Sequence, residues 1–155
     1  MLLGIDTSFA NYRPNRNIED IDWDRVIRSH RFSFLYSRVG QGNNSANLDV
    51  GFYNFAHDAA KRNDLPFGSY YFFVGSQTGN SQADTMLGAS DGRTGTLLPM
   101  IDVEEASFNL QVDLQEKIAN LAALRVRVAK AHNVEPDQVI LYTNNDTWSN
   151  YMSNT

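Results

Sequence analysis

Two acidic residues at the end of an apolar segment have the residue types and spacing that could support catalysis. Asp102 and Glu104 follow directly on the apolar residues 97–101. Side chains alternate between the two faces of a β-strand, so a strand through residue 104 would direct both carboxylates to the same face. Adjacent carboxylates repel each other, which favours retention of a proton on one of them near neutral pH. The pattern fits general acid catalysis beside a negative charge, and a solvated polar turn is the alternative interpretation.

Two further charged candidates end other predicted strands. Asp6 ends the first strand, and in a barrel it would meet Asp102 and Glu104 across the open end, in the manner of the paired carboxylates that hydrolyse glycosides. Capping of the turn that follows explains Asp6 equally well. Arg38 ends the second predicted strand and suits either an anionic substrate group or an ion pair with one of the acids.

Aromatic residues accumulate at the same predicted strand ends. Residues 70–73 read Tyr-Tyr-Phe-Phe, and Tyr142 lies in the last predicted strand with Trp148 beyond it. Aromatic rings stack against the apolar C–H faces of sugar rings, so these positions suit a carbohydrate ligand. Because half of a covered strand faces the helices, two of residues 70–73 are expected in the ordinary core.

Composition narrows the possible functions. A chain of 155 residues with 42% hydrophobic residues fits one globular domain. The net charge of −5 argues against a nucleic-acid partner, and no apolar segment approaches the roughly 20 residues of a membrane span. The first residues lack the basic and apolar regions of a signal peptide.

Neither a metal nor a cofactor is predicted. Cysteine is absent, and His30, His57 and His132 lack the spacing of metal ligands. We interpret His57 and His132 as surface residues. The glycine fingerprint of dinucleotide folds, the P-loop and the Gly-x-Ser-x-Gly nucleophile motif are also missing from the sequence.

The pattern of hydrophobic residues predicts alternating strands and helices. Strands are predicted at residues 2–6, 32–39, 66–74, 97–104 and 139–143, and helices at 18–29 (with Asp20 or Asp22 as its cap), 49–63, 81–87, 110–131 and within 144–155. Such alternation implies parallel strands joined by right-handed crossovers. Five strands fit an open doubly wound sheet, which the pattern slightly favours, or a β/α barrel that stops before its eighth strand.

With these residues identified, the chain resembles the glycoside hydrolase family 25 lysozymes, the N-acetylmuramidases of bacteriophage endolysins and bacterial autolysins. Short matching motifs occur in the family's order along essentially the whole chain. They are Gly4-Ile5-Asp6-Thr7-Ser8, Ile21-Asp22-Trp23, Phe34-Leu35-Tyr36-Ser37-Arg38, Asp49 with Phe52, Gly68-Ser69-Tyr70-Tyr71-Phe72, Gln82-Ala83, Leu98-Pro99-Met100-Ile101-Asp102-Val103-Glu104 and Leu141-Tyr142-Thr143-Asn144.

The resemblance implies one catalytic domain over residues 1–155, an α/β fold of the modified TIM-barrel type with about the first five strands present. It implies hydrolysis of the β-1,4 bond between N-acetylmuramic acid and N-acetylglucosamine in bacterial peptidoglycan, outside the cell or at the cell wall. By position, the catalytic residues would be Glu104 as general acid, Asp102 as its charged neighbour and Asp6 from the first strand. The substrate-binding residues would be Arg38, Tyr70, Tyr71, Tyr142 and Asn144. The resemblance leaves open whether water or the substrate's own acetamido group attacks.

The chain departs from the family pattern in several places. Tyr71 stands where the family commonly has His, Phe55 where it has Asn, and the first loop reads Ser-Phe-Ala-Asn rather than Ser-x-x-Gln-Gly. The family continues beyond the equivalent of Thr155 with about three more strands, a Trp-Gln segment and a final Asp. We therefore expect a fragment whose C-terminal strands are missing, or sheet edges covered by a partner. A non-catalytic module that binds cell-wall glycan or assists assembly is the alternative function, and an unrelated α/β hydrolase is a weaker one.

Overall fold

Five short segments form one parallel sheet in a computed structural model that describes residues 3–8, 22–30, 32–108 and 112–152. The strands are β1 (Gly4–Thr7), β2 (Phe34–Gln41), β3 (Phe67–Phe72), β4 (Met100–Asp102) and β5 (Ile140–Tyr142). They lie side by side in sequence order, and every neighbouring pair is parallel. All five predicted strands are confirmed. The fourth ends two residues before Glu104.

Helices connect the strands. They are α1 (Trp23–His30), α2 (Val50–Arg62), α3 (Gly79–Ser90), α4 (Glu105–Phe108), α5 (Leu114–His132) and α6 (Asn145–Thr147), with a π-helical turn at Trp148–Met152 and 3-10 turns at Ser45–Asn47 and Pro136–Gln138. The sequence did not predict α4. Asp22, one of the two predicted capping residues, caps α1. Its Oδ1 accepts the N–H of Arg25 at 2.9 Å. The predicted helical positions 18–21, 110 and 111, and residues 153–155, lie outside the described residues. No helix within the described ranges is both long enough and apolar enough to cross a membrane.

The two faces of the sheet have different environments because side chains alternate along each strand. One face is the core. Leu35, Val39, Tyr71 and Ile101 from β2, β3 and β4 are fully buried there. They belong to one hydrophobic cluster with residues of four helices: Trp23 and Ile27, Phe52 and Ala56, Ala83 and Met86, and Leu121, Leu124 and Val128. The helices therefore cover a single face, and the opposite face is available for a ligand.

This arrangement is that of a β/α barrel. In a doubly wound sheet the strand order reverses and helices cover both faces, whereas here the order is sequential and the helices share one face. The slight preference of the sequence pattern for a doubly wound sheet was therefore wrong. Within the described residues the sheet holds five strands and does not close.

Close packing of α3 on α5 depends on a glycine at the first position of α3. A Cβ atom added to Gly79 would lie 2.0 Å from the carbonyl oxygen of Asn120 and 2.6 Å from the backbone nitrogen of Leu124. Backbone atoms cannot move aside as a flexible side chain can, so the two helices must separate to admit even a methyl group. By contrast, a Cβ on the exposed Gly88 of the same helix would meet nothing within 4 Å.

We predict that Gly79→Ala and Gly88→Ala change stability in opposite directions. Gly79→Ala should reduce the free energy of unfolding by about 1–3 kcal/mol through overpacking. Gly88→Ala should increase it by about 0.5–1 kcal/mol, because alanine loses less backbone entropy than glycine in a helix. Urea unfolding followed by circular dichroism measures both. Equal effects of the two substitutions would contradict the proposed contact between α3 and α5.

Candidate functional site

A cleft of about 370 Å³ lies on the sheet face opposite the helices. All five strands contribute to it. Its lining consists of Gly4, Ile5, Asp6, Phe34, Tyr36, Tyr70, Met100, Asp102 and Tyr142. Nearly all of these residues have even numbers, since the strand register places them on one face. The cleft therefore combines two carboxyl groups with four aromatic rings.

Asp102 is the most perturbed acid of this cleft. It is the last residue of β4 and keeps only 9% of its surface exposed. Its Oδ1 has no hydrogen-bond partner among the described residues. Loss of water raises its pKa to about 7, the negative charges of Glu104 and Asp6 add to this effect, and the positive charge of Arg38 opposes it. Asp102 therefore retains a proton far closer to neutral pH than an ordinary aspartate does.

Asp6 faces Asp102 from β1 and is held by a tyrosine. Tyr70, on β3, donates its hydroxyl hydrogen to the Asp6 carboxylate. The pKa of Asp6 is raised because partial loss of water outweighs this hydrogen bond and the positive charge of Arg38. Burial, together with the negative charge of Asp6, also raises the pKa of Tyr70, so its hydroxyl stays protonated and remains a donor.

Arg38 supplies the positive charge beside these acids. Its Nε donates to Oδ2 of Asp49 at 2.6 Å, and both side chains are buried. The sequence suggested an anionic substrate or one of the strand-end acids as partner. The structure pairs Arg38 with Asp49, the residue immediately before α2. From this fixed position Arg38 lowers the pKa of both Asp6 and Asp102.

Glu104 lies just beyond the end of β4 and is half-buried. Its backbone N–H donates to Ser107 Oγ at 3.2 Å, at the start of the turn that leads into α4. Its negative charge raises the pKa of Asp102. The three predicted acids therefore interact electrostatically at the carboxyl ends of β1 and β4, where barrels carry their active sites.

The prediction that Tyr71 binds substrate is wrong. Tyr71 points to the helix-covered face, is fully buried, and its hydroxyl lies 2.8 Å from Nε2 of His132 in α5. Neighbouring residues of a strand face opposite ways, so Tyr70 in the cleft requires Tyr71 in the core. His132 is therefore half-buried rather than a surface residue, and burial lowers its pKa. His57 is also half-buried, with its ring against Phe67.

The remaining predicted binding residues have different surroundings. Tyr142 lines the cleft with 53% of its surface exposed, so its ring is accessible to a ligand. Asn144 does not line the described cleft. Its Oδ1 accepts the N–H of Thr147 at 2.8 Å and caps α6.

Sequence reasoning missed five lining residues, of which Gly4 and Ile5 lie on β1. The other three are Phe34 and Tyr36 on β2 and Met100 on β4. They lie two or four residues before Arg38 and Asp102, so counting back by twos from the predicted site would have found them. Tyr36 also donates its hydroxyl hydrogen to the carbonyl of Leu98 at 2.9 Å, which fixes its ring in the cleft.

The cleft can hold a proton near neutral pH beside further carboxylates and offer aromatic rings to a ligand. In the ranges that the structure describes, no three His, Asp or Glu side chains are grouped closely enough to hold a metal ion. The chemistry that these side chains themselves provide is transfer of a proton and stabilisation of positive charge.

Solved structures that are similar to this chain include a glycosyl hydrolase, a muramidase and an autolysin. A family 25 glycosyl hydrolase from Bacillus anthracis matches with a TM-score of 0.77 and 20% identity, over 98% of this chain and 64% of that chain. A muramidase from Acremonium alcalophilum matches with a TM-score of 0.71 and 16% identity, over 100% of this chain and 71% of that chain. The modular autolysin LytC from Streptococcus pneumoniae, in complex with a synthetic peptidoglycan ligand, matches with a TM-score of 0.67 and 16% identity, over 97% and 34%.

These matches show that the chain has the fold of the family 25 glycosyl hydrolases, a modified TIM barrel. The chain spans 64% of the length of the Bacillus anthracis enzyme. No family model matches the sequence, and no curated protein matches it. The likeness therefore lies in the three-dimensional structure far more than in the sequence.

We predict that the stability contribution of Asp102 depends on pH between about 4 and 7. In this window the unfolded chain loses the Asp102 proton while the folded protein keeps it, so rising pH favours unfolding. Asp102→Asn should remove this dependence. The stability of the variant relative to wild type should increase by about 1.4 kcal/mol per pH unit across the window and become constant above it.

Asp24→Asn is the matched control. A hydrogen bond from Asn63 lowers the pKa of Asp24, so this carboxylate is ionised in both folded and unfolded states between pH 5 and 7. Its replacement should change stability by the same amount throughout that range. Urea unfolding at intervals of pH measures both variants, and a constant difference for Asp102→Asn would refute a retained proton on Asp102.

Proposed function

We propose that this chain is a peptidoglycan hydrolase of the lysozyme type, which cleaves the β-1,4 bond between N-acetylmuramic acid and N-acetylglucosamine. The observation that carries the proposal is the acid pair at the end of β4: Asp102, whose pKa is raised to about 7, lines the aromatic cleft, and Glu104 lies just beyond the strand end. The fold of known muramidases supports it. The proposed partner is the glycan strand of bacterial peptidoglycan, which places the site of action at the cell wall.

We assign proton delivery to Glu104. Asp102 retains a proton close to neutral pH, and the adjacent carboxylate of Glu104 can accept this proton and deliver it. Of the two, Asp102 is buried while Glu104 is half-buried, so Glu104 is the group that a glycosidic oxygen can approach. Protonation of that oxygen allows the sugar to leave, and the bond to the anomeric carbon breaks. A water molecule finally supplies the hydroxyl group of the new reducing end and returns a proton to the acids.

The other acids would stabilise the charge that develops on the sugar. Cleavage of a glycosidic bond passes through a state with positive charge at the anomeric carbon. Once the proton has left the pair, Asp102 carries a negative charge beside this carbon, and Asp6 adds a second from β1. In this proposal the exposed ring of Tyr142 binds a sugar by stacking, which holds the scissile bond over the acids.

Replacement of the proposed acid should remove hydrolysis. We expect Glu104→Gln to lower the rate of reducing-end release from purified peptidoglycan by roughly 100- to 10,000-fold, the usual contribution of a general acid. The neighbouring Glu105→Gln is the control, because Glu105 is exposed in the first turn of α4. It should retain the wild-type rate.

The result can contradict the proposal in two ways. If Glu104→Gln and wild type release reducing ends equally fast, Glu104 is not the acid. If the wild-type chain binds peptidoglycan but releases no reducing ends, the chain is the non-catalytic glycan-binding module rather than a hydrolase. Mass spectrometry of the released fragments identifies which bond is cut.

Binding should depend on the exposed aromatic ring in the cleft. Tyr142→Ala is expected to weaken binding to insoluble peptidoglycan by roughly two- to tenfold, the loss of one stacking contact. Phe55→Ala is the matched control, since Phe55 is an exposed aromatic residue on α2, in the helix layer behind the sheet. Sedimentation with peptidoglycan measures both. Equal loss in the two variants would indicate nonspecific adsorption instead of a glycan site in the cleft.

A further inference from the structure

A fully buried serine holds the backbone of Glu104. Ser107 lies in α4, and its Oγ accepts the Glu104 N–H at 3.2 Å while donating to the carbonyl of Phe73 at 2.7 Å. The Ser107 N–H in turn donates to the carbonyl of Glu104 at 2.8 Å. Both backbone polar groups of Glu104 are therefore bonded to the same residue, at the point where Glu104 has left the strand.

Ser107 is itself anchored from the opposite side. Its carbonyl accepts the N–H of Gly75 at 3.0 Å, and a Cβ on Gly75 would lie 2.3 Å from that oxygen. The Gly75 carbonyl accepts a hydrogen bond from Asn120 Nδ2 of α5 at 3.3 Å. A continuous path of hydrogen bonds thus runs from α5 through the loop after β3 to Ser107 and Glu104.

We propose that Ser107 is a positioning residue, which fixes Glu104 at the carboxyl end of β4 beside Asp102. A half-buried carboxylate next to another acid gains hydration and loses repulsion by moving toward solvent. The last hydrogen bond between β4 and β5 is donated by the N–H of Val103 to the carbonyl of Tyr142 at 2.9 Å, so the sheet does not hold Glu104 itself. The hydrogen bonds of Ser107 provide the restraint. The consequence for catalysis rests on the proposed function, whereas the restraint itself does not.

The pKa of Asp102 depends on how close the negative charge of Glu104 lies to it, so this pKa can be used to detect a movement of Glu104. Among the described residues, the charged and titratable groups around Asp102 are Glu104 beyond β4, Asp6 on β1, Tyr36 and Arg38 on β2, Tyr70 on β3 and Tyr142 on β5. Of these groups, Glu104 alone lies in the loop that Ser107 holds. If that loop loosens, the repulsion of Asp102 by Glu104 weakens and the pKa of Asp102 falls.

The test is a carbon-13 NMR titration of the Asp102 carboxyl group in the whole chain. Ser107→Ala should lower the pKa of Asp102 by roughly half or more of the decrease that Glu104→Gln produces. In the Glu104→Gln background, Ser107→Ala should produce no further decrease. Ser69→Ala is the matched control, because Ser69 is equally buried but bonds to Tyr53 instead of the Glu104 loop.

A hydrolysis assay separates the positioning role from the proposed function. Ser107→Ala should lower kcat more than it raises KM, and Ser107→Thr, which keeps the hydroxyl group, should recover part of the loss. If the wild type hydrolyses nothing, the proposed function fails while the titration still decides the role of Ser107. Should Ser107→Ala not fold, Ser107→Cys keeps the size of the side chain with a weaker hydrogen-bonding group and replaces it. A folded variant in which the pKa of Asp102 equals that of wild type would overturn the proposal.

Discussion

The buried ion pair of Arg38 and Asp49 is the interaction on which the acidic cleft depends. Asp6 and Asp102 lie where water is scarce, and the guanidinium of Arg38 offsets part of the cost by favouring their charged forms. A buried guanidinium requires its own partner, since an uncompensated buried charge costs several kcal/mol, about 3–5 when one partner is removed. Asp49 supplies that partner and also lies at the start of α2. The same contact therefore orders the charges of the cleft and joins β2 to the helix layer.

Strand alternation divides the residues of the sheet between stability and function. Leu35, Tyr71 and Ile101 face the helices and are fully buried, whereas Tyr36, Tyr70 and Asp102 line the opposite face. Burial of apolar surface on the first face stabilises the fold. Asp102 on the second face works against it, by an amount that grows from about pH 4 to 7 and is constant above, because the charged carboxylate has little water around it in the folded protein. Apolar burial on the helix-covered face therefore offsets the cost of keeping Asp102 in the cleft.

The sequence could predict the strands, most of the helices and the acidic residues. It could not predict the order of the strands in the sheet, or which face of the sheet each strand residue occupies. Asp6 and Asp102 were identifiable because each follows an apolar segment. The four aromatic residues 70–73 show no alternation of polarity, so nothing in the pattern indicated that Tyr70 faces the cleft and Tyr71 the core. The pairing of Arg38 with Asp49 depends on how β2 and α2 pack, a tertiary contact that local spacing does not determine. Strand order is equally a matter of tertiary packing, which alternating strands and helices leave open.

Beyond the last hydrogen bonds between strands, buried side chains hold the backbone at the carboxyl edge of the sheet. Beyond β3, the fully buried Gln82 accepts the N–H of Val74 at 2.9 Å and donates to the carbonyls of Val74 and Gln77 at 3.0 and 2.9 Å. Beyond β4, Ser107 has the same function for Glu104. Strands that ended later would satisfy these groups with each other, but they would hold each residue in the flat geometry of the sheet. Short strands with buried polar anchors allow the chain to turn at once, so that Glu104 lies beside Asp102 in a fixed position and keeps access to solvent.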